Sequence, residues 1–168
     1  MAQPATGGSS VNRDLGVKLD LVTSIPAIVG NNTTEGTGIA VDLKGYEGAV
    51  VIVNFGVSLD TLSGSVKALV SVQDSDNGSS GWADLATSKM RITSYLDVSA
   101  TITETDNTAF ADIDAAAKDD ITYKVTVLPG AGVKRYIRPL ITFTGTHTNG
   151  TPIGAYVVKG FPRVLPAV

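Results

Sequence analysis

Twenty Val and nineteen Thr among 168 residues are the strongest constraint on what this chain can fold into. β-Branched side chains are stiff at χ1 and pack well on a pleated surface, so their excess points to β structure before any periodicity is read. The periodicity agrees. In 121–128 (ITYKVTVL), Ile121, Tyr123, Val125 and Val127 alternate with Thr122, Lys124 and Thr126, and Pro129-Gly130 ends the run. In 66–73 (VKALVSVQ), Val66, Ala68, Val70 and Val72 share one side, and the turn chemistry of Asp74-Ser75-Asp76-Asn77-Gly78 follows.

Residues 17–29 set Val17, Leu19 and Leu21 against Lys18 and Asp20, which predicts a half-buried strand ending before Pro26. A polar loop at 30–38 (GNNTTEGTG) separates it from Ile39, Val41 and Leu43, which alternate again. The continuous apolar run at 49–57 (AVVIVNFGV) predicts a strand buried on both faces. Weaker segments near 90–103 carry Ile92, Leu96, Val98 and Ile102, enough for one or two strands. DIDAAAKDD at 112–120 is the one plausible helix, its acids and Lys118 placed to suit a helix dipole. YIRPLITFT at 136–144 and IGAYVVKGF at 153–161 flank Thr148-Asn149-Gly150-Thr151, and Asn-Gly tolerates a type I′ turn, so a β-hairpin is expected. Seven to nine short strands with almost no helix imply an all-β single domain, a β-sandwich of jelly-roll or immunoglobulin-like type over 17–161. Residues 1–16, small and polar, read as an extended arm, and 162–168 as a Pro-bearing tail.

Composition narrows the chemistry. One domain of this length buries about 70% of its unfolded surface without a metal or disulfide staple. Zero Cys removes disulfides, thiol nucleophiles and thiolate zinc sites, and a single His removes most remaining metal and acid–base sets. A net charge of −3 with 17% charged residues offers no footprint for a nucleic-acid backbone. No apolar run approaches the ~20 residues of a membrane span, and MAQPATGGSS does not read as a secretory signal.

The remaining candidates each have a plainer reading. DSDNG at 74–78 shares the opening of an EF-hand loop, but a spacing residue is missing and Leu85 stands where a closing Glu belongs. A tight turn is favoured, with Asp74 and Asp76 as ligands of a weak calcium site at most. His147 lacks a nucleophile in any recognisable context and reads as an exposed hairpin residue. Asp112, Asp114, Asp119 and Asp120 read as solvated helix ends rather than paired catalytic carboxylates. The GTG at 36–38 precedes a strand, not the helix a phosphate cradle needs. Lys134, Arg135 and Arg138 form a small basic cluster at a strand start, its default a solvated end. Trp82, with Tyr46, Tyr95 and Tyr156, is a candidate sugar platform, whereas a lone Trp after a turn reads first as a core or hairpin anchor. The sequons at Asn31, Asn32, Asn77 and Asn149 fall in short polar loops that generate them by chance. No acid, base and nucleophile assemble, so neither catalytic residues nor cofactors are expected.

One set of segments is similar to a known group. DLKGYEGAVVIVNFG at 42–56, VSVQDSDNGSSGWADL at 70–85 and YIRPLITFT at 136–144 occur in an order that resembles small β proteins encoded among the head and tail genes of tailed bacteriophages. The resemblance runs from about residue 17 to 161, and its motifs are structural, with Trp82, Tyr46 and Tyr136 as anchors. It implies a virion structural protein, first of all a capsid decoration or cement protein on the head surface, assembled in the host cytoplasm. Its implied partners are the major capsid protein and copies of itself, expected as a trimer. A neck or tail component, and a host-surface or polysaccharide-binding β-sandwich module, are the alternatives.

Overall fold

The alternation in the sequence becomes paired strands in the computed structural model, which describes residues 19–95, 109–127 and 132–162. Ten strands follow in order: β1 (Leu19–Gly30), β2 (Val41–Asp42), β3 (Tyr46–Phe55), β4 (Lys67–Ser75), β5 (Ala83–Asp84), β6 (Met90–Tyr95), β7 (Ala109–Ile113), β8 (Ile121–Val127), β9 (Tyr136–Thr144) and β10 (Thr151–Pro162). They form two sheets. The first has the order β1-β10-β3-β8-β6; the second is β2-β9-β4, with β7 and β5 sharing the far edge of β4. Every pairing is antiparallel. Four strands of each sheet, β1-β10-β3-β8 facing β2-β9-β4-β7, carry the jelly-roll connectivity, because the chain changes sheet at nearly every step. The expected β-sandwich is therefore present, and of the two types anticipated it is the jelly roll.

The core lies between the sheets. Ala49, Val51, Val53 and Phe55 of β3 and Ile121, Tyr123, Val125 and Val127 of β8 meet Ala68, Val70 and Val72 of β4 and Ile137 and Ile141 of β9. β4, β8 and β9 bury the alternate residues that their sequence period assigns inward.

Several expectations need correction. The Asn149-Gly150 turn does not close a hairpin, because β9 belongs to the second sheet and β10 to the first, each already flanked on both sides. Gly150 does adopt the positive φ its turn requires, at 75°. The turn is pinned instead to the loop after β3, where the Asp60 carboxylate accepts the Asn149 and Gly150 backbone N–H at 3.0 and 2.9 Å. No α-helix occupies 112–120: Asp112 and Ile113 are drawn into β7 opposite Leu69 and Ala68, leaving one 3-10 turn at Ala116–Lys118. What remains is too short to nucleate a helix.

Pro26 does not end the first strand, which continues to Gly30. β1 is an edge strand, so a missing N–H on its outer side breaks no ladder bond. Its register slips twice, between Thr23 and Ile25 and between Ile25 and Ile28. The first slip inserts Ser24, whose Oγ donates to the Ile39 carbonyl at 2.8 Å while the Ile39 N–H donates to the Ser24 carbonyl at 2.9 Å. A one-residue slip reverses side-chain phase. Ile25 thus enters the core, while Leu19 and Leu21, expected to face inward, point out. The run at 49–57 is likewise not buried on both faces: Val50 and Ile52 are only half-buried and Asn54 is exposed. The arm at 1–16 and nearly all of the tail at 162–168 lie outside the described residues.

Candidate functional site

The two sandwich faces that look away from the core differ in chemistry. On the second sheet the outward side chains of β4, β7 and β9 pair with one another. Lys67 meets Asp112 at 3.0 Å. Arg138 donates twice to Gln73 Oε1, at 2.9 and 2.7 Å, and the Gln73 amide donates to Asp84 at 3.0 Å. Burial lowers the pKa of Arg138, though Asp84 opposes the shift. This is the usual polar exterior of an antiparallel sandwich.

On the first sheet the outward rows are mostly apolar. Register places Leu21, Val158, Val50, Thr126 and the exposed Arg91 across β1, β10, β3, β8 and β6 in one row, and Thr23, Tyr156, Ile52 and Lys124 in the next. Gly154, Asn54 and Thr122 follow, with Val29 beside Pro152 beyond them. Leu21 is 63% exposed and Val29 55%. Within this face an open groove of about 550 Å³ is lined by Ala27, Val29, Asn54, Gly56, Pro152, Gly154 and Tyr156. Gly154 forms its floor because any larger residue there would fill it. Thr122 Oγ1 donates to Asn54 Oδ1 at 2.7 Å within the Gly154 row.

The residues singled out from the sequence are dispersed. Asp74 is buried and accepts the Lys134 backbone N–H at 3.1 Å, whereas Asp76 is exposed beside the Lys134 ammonium at 3.4 Å. The two carboxylates serve different partners, and among the described residues no group of three or more His, Asp or Glu is placed to hold a metal. His147 is not an exposed hairpin residue. It is 5% exposed, its ring edge-on to Phe143 at 4.9 Å and its Nε2 3.1 Å from the Thr144 carbonyl.

Three of the four aspartates near 112–120 are engaged rather than solvated, while Asp120 is exposed at a φ of 55°. Besides the Asp112 pair, Asp114 meets Lys118 at 2.6 Å, a hydrogen bond that lowers the Asp114 pKa, and Asp119 accepts the Ser58 N–H at 2.8 Å. The GTG segment serves packing: a Cβ on Gly36 would collide with the Ile141 carbonyl, and Ile141 N–H donates to the Gly36 carbonyl at 2.8 Å. The basic cluster is engaged within the chain, Lys134 and Arg135 by carboxylates and Arg138 by Gln73 and the Trp82 ring. Arg135 grips Asp42 with two bonds of 2.9 and 2.6 Å, which hold the Asp42 carboxyl down at about 2.

The aromatic residues do not make one platform. Trp82 lies on the second sheet under the Arg138 guanidinium, 4.2 Å from its ring centre, half-buried rather than in the core. Tyr156 stands on the outer face of the first sheet, across the sandwich. Tyr46 is covered by Lys159 at 4.6 Å and Tyr136 by Arg135 at 4.9 Å, with Gly78 against the Tyr136 ring. The side chain of Tyr95 is outside what the structure describes. Asn31, Asn32, Asn77 and Asn149 are in exposed loops, and Asn77 and Asn149 use their amides to hold those loops together.

The apolar face escaped the sequence reading, although a signal for it exists. AVVIVNF in β3 and AYVV in β10 do not alternate, and in a two-layer sandwich only one side of a strand meets the core. A non-alternating run in such a fold leaves apolar side chains outside. The molecule is thus a jelly-roll sandwich with one polar, internally paired exterior and one exterior that is largely apolar over β1, β10 and β3 and polar on β8 and at Arg91 of β6. No protein-family model, curated protein or solved structure matches the chain, and among the described residues no helix is long and apolar enough to cross a membrane.

Proposed function

We propose that this chain is a non-enzymatic structural protein of a virion, a capsid decoration or cement protein that works through contacts with the major capsid protein and with copies of itself. The observation that carries the reading is the apolar outer face of the first sheet. A surface with Leu21, Val29, Val50, Ile52, Tyr156 and Val158 on neighbouring strands, and little charge, is costly to leave in water and is the signature of a surface that another protein covers. The phage-like segments fit the same role, since their glycines, acids and aromatics serve turns and internal packing. A jelly roll by itself argues for no particular function.

The test is binding of the purified protein to expanded empty capsids built from the major capsid protein encoded with it. Saturable binding and a raised capsid melting temperature are the expected results. No effect on the capsid, with the protein located in the neck or tail by electron microscopy, would move it to the alternative virion position. The glycan-binding alternative draws on Trp82, but Arg138 occupies one face of that ring. Specific glycan binding abolished by Trp82→Ala, without loss of folding, would favour that module instead.

A further inference from the structure

We infer that the outer face of the first sheet is a self-association surface, on which two copies pack face to face about a two-fold axis running across the strands between the Gly154 and Tyr156 rows. The inference rests on reading that face as an assembly surface and names its occupant. Its basis is the order of the rows. A two-fold axis at that place reflects the face onto itself along the strand direction, so that residues equally far from the axis meet. Tyr156 of one copy then meets Gly154 of the other, a large ring over the floor of the groove. The rows one step further out bring Val158 onto Pro152 and Leu21 onto Val29, apolar against apolar. Lys124 meets Thr122 of the other copy rather than its own symmetry mate, and Arg91, which extends the Thr126 row on β6, lies beyond the four facing strands, so no like charges are forced together.

The same operation sets Ile52 against Asn54, so the face is complementary to itself at its groove and in its outer rows, the requirement of an isologous interface. Its size is also suitable. Four strands at ~4.8 Å spacing and about nine residues at ~3.4 Å give roughly 600 Å² in projection, which side-chain relief brings near the ~800 Å² per partner of a standard interface. Strands run β10 over β10, within the aligned class of sheet packing. Such a face builds pairs, in place of the trimer expected from the sequence.

The test uses the full chain and light scattering with sedimentation equilibrium across a range of concentrations. The native protein is expected to be a concentration-dependent dimer. Gly154→Tyr directs a ring into the groove, and its Cβ is accommodated without a clash, 3.6 Å from the nearest atom, Ala27 Cα, an ordinary contact. It should raise the dissociation constant at least tenfold while the circular dichroism and unfolding transition persist. The reciprocal double variant, Gly154→Tyr with Tyr156→Gly, again places a ring opposite a glycine and should return the constant to within about threefold of native. A monomer at high concentration, a trimer, or a dimer indifferent to Gly154→Tyr would each overturn the pairing. Overturned pairing with capsid binding retained leaves the virion role standing; an intact dimer that ignores capsids removes that role and keeps the pairing.

Discussion

Val157 and Val158 are adjacent, identical in type and on one strand, yet the fold assigns them opposite environments, which allows a sharp comparison. Val157 is 0% exposed between Val22 and Val51 in the core layer, whereas Val158 is half-buried on the outer face. Val157→Ala removes two buried methyl-sized groups, ~0.8 kcal/mol each in transfer energy, and leaves a void that close-packed neighbours fill only in part. The expected cost is about 2–3 kcal/mol. For a chain of this length that lowers the melting temperature by roughly 5–10 °C. Val158→Ala opens no enclosed void and should cost about 0.5–1 kcal/mol in dilute protein. At high concentration its deficit should grow, because a self-associating native state is stabilised by mass action and the variant weakens that association. Differential scanning fluorimetry or calorimetry at sub-micromolar and at high protein concentration reads both effects. Equal destabilisation by the two variants in dilute protein would refute the assignment of an uncovered face to Val158.

Gly36→Ala should lower stability by about 2–4 kcal/mol, since the new Cβ drives the loop off the Ile141 carbonyl and loosens the Ile141–Gly36 and Gly38–Pro139 backbone bonds, whereas Gly64→Ala, which meets nothing within 4 Å, should stay within about 0.5 kcal/mol in urea unfolding. Asp42, held at about 2 by the Arg135 hydrogen bonds against ~3.9 when unfolded, stabilises the fold above pH 4 and loses that contribution as the pH falls through 2. The side chain is 38% exposed, so the contribution is under about 1 kcal/mol; the gap between native protein and Asp42→Asn in urea midpoint should be present at pH 5 and close by pH 2. Trp82→Ala should remain folded by circular dichroism and lose about 1–2 kcal/mol, because the ring is half-buried and stacked under Arg138; global unfolding would return it to the core.

How much was legible in the residues follows from which interactions are local. The alternation in 121–128 and 66–73 predicted β8 (Ile121–Val127) and β4 (Lys67–Ser75) to within two residues, because which side of a strand is apolar is written in consecutive residues. The β-sandwich class followed from the same pattern; the turn expected at 74–78 begins two residues later, because Asp74 and Ser75 pair with Ile137 and Tyr136 in β4, and its Asn77 side chain is satisfied by neighbouring residues. The site was less legible. Trp82, Arg138 and Gln73 come from segments far apart in the chain and meet only because β4 and β9 pair, with Gln73 opposite Arg138.

The existence of the strongly alternating strands, turn chemistry and the lack of a thiol repertoire were therefore properties of the sequence itself. Tertiary structure alone decided which sheet each strand joins. Asn149-Gly150 has the local chemistry of a hairpin, yet it became a corner between sheets, because β9 and β10 found their partners elsewhere and Asp60 captured the turn. The outward face of Leu19 and Leu21 was set by one extra residue, Ser24, whose bonds reach across to Ile39. The meaning of the apolar run in β3 was likewise settled only by the number of layers: with two sheets and one core, its second face remains outside. Pairing and layering are long-range and collective, and a local period carries no record of them.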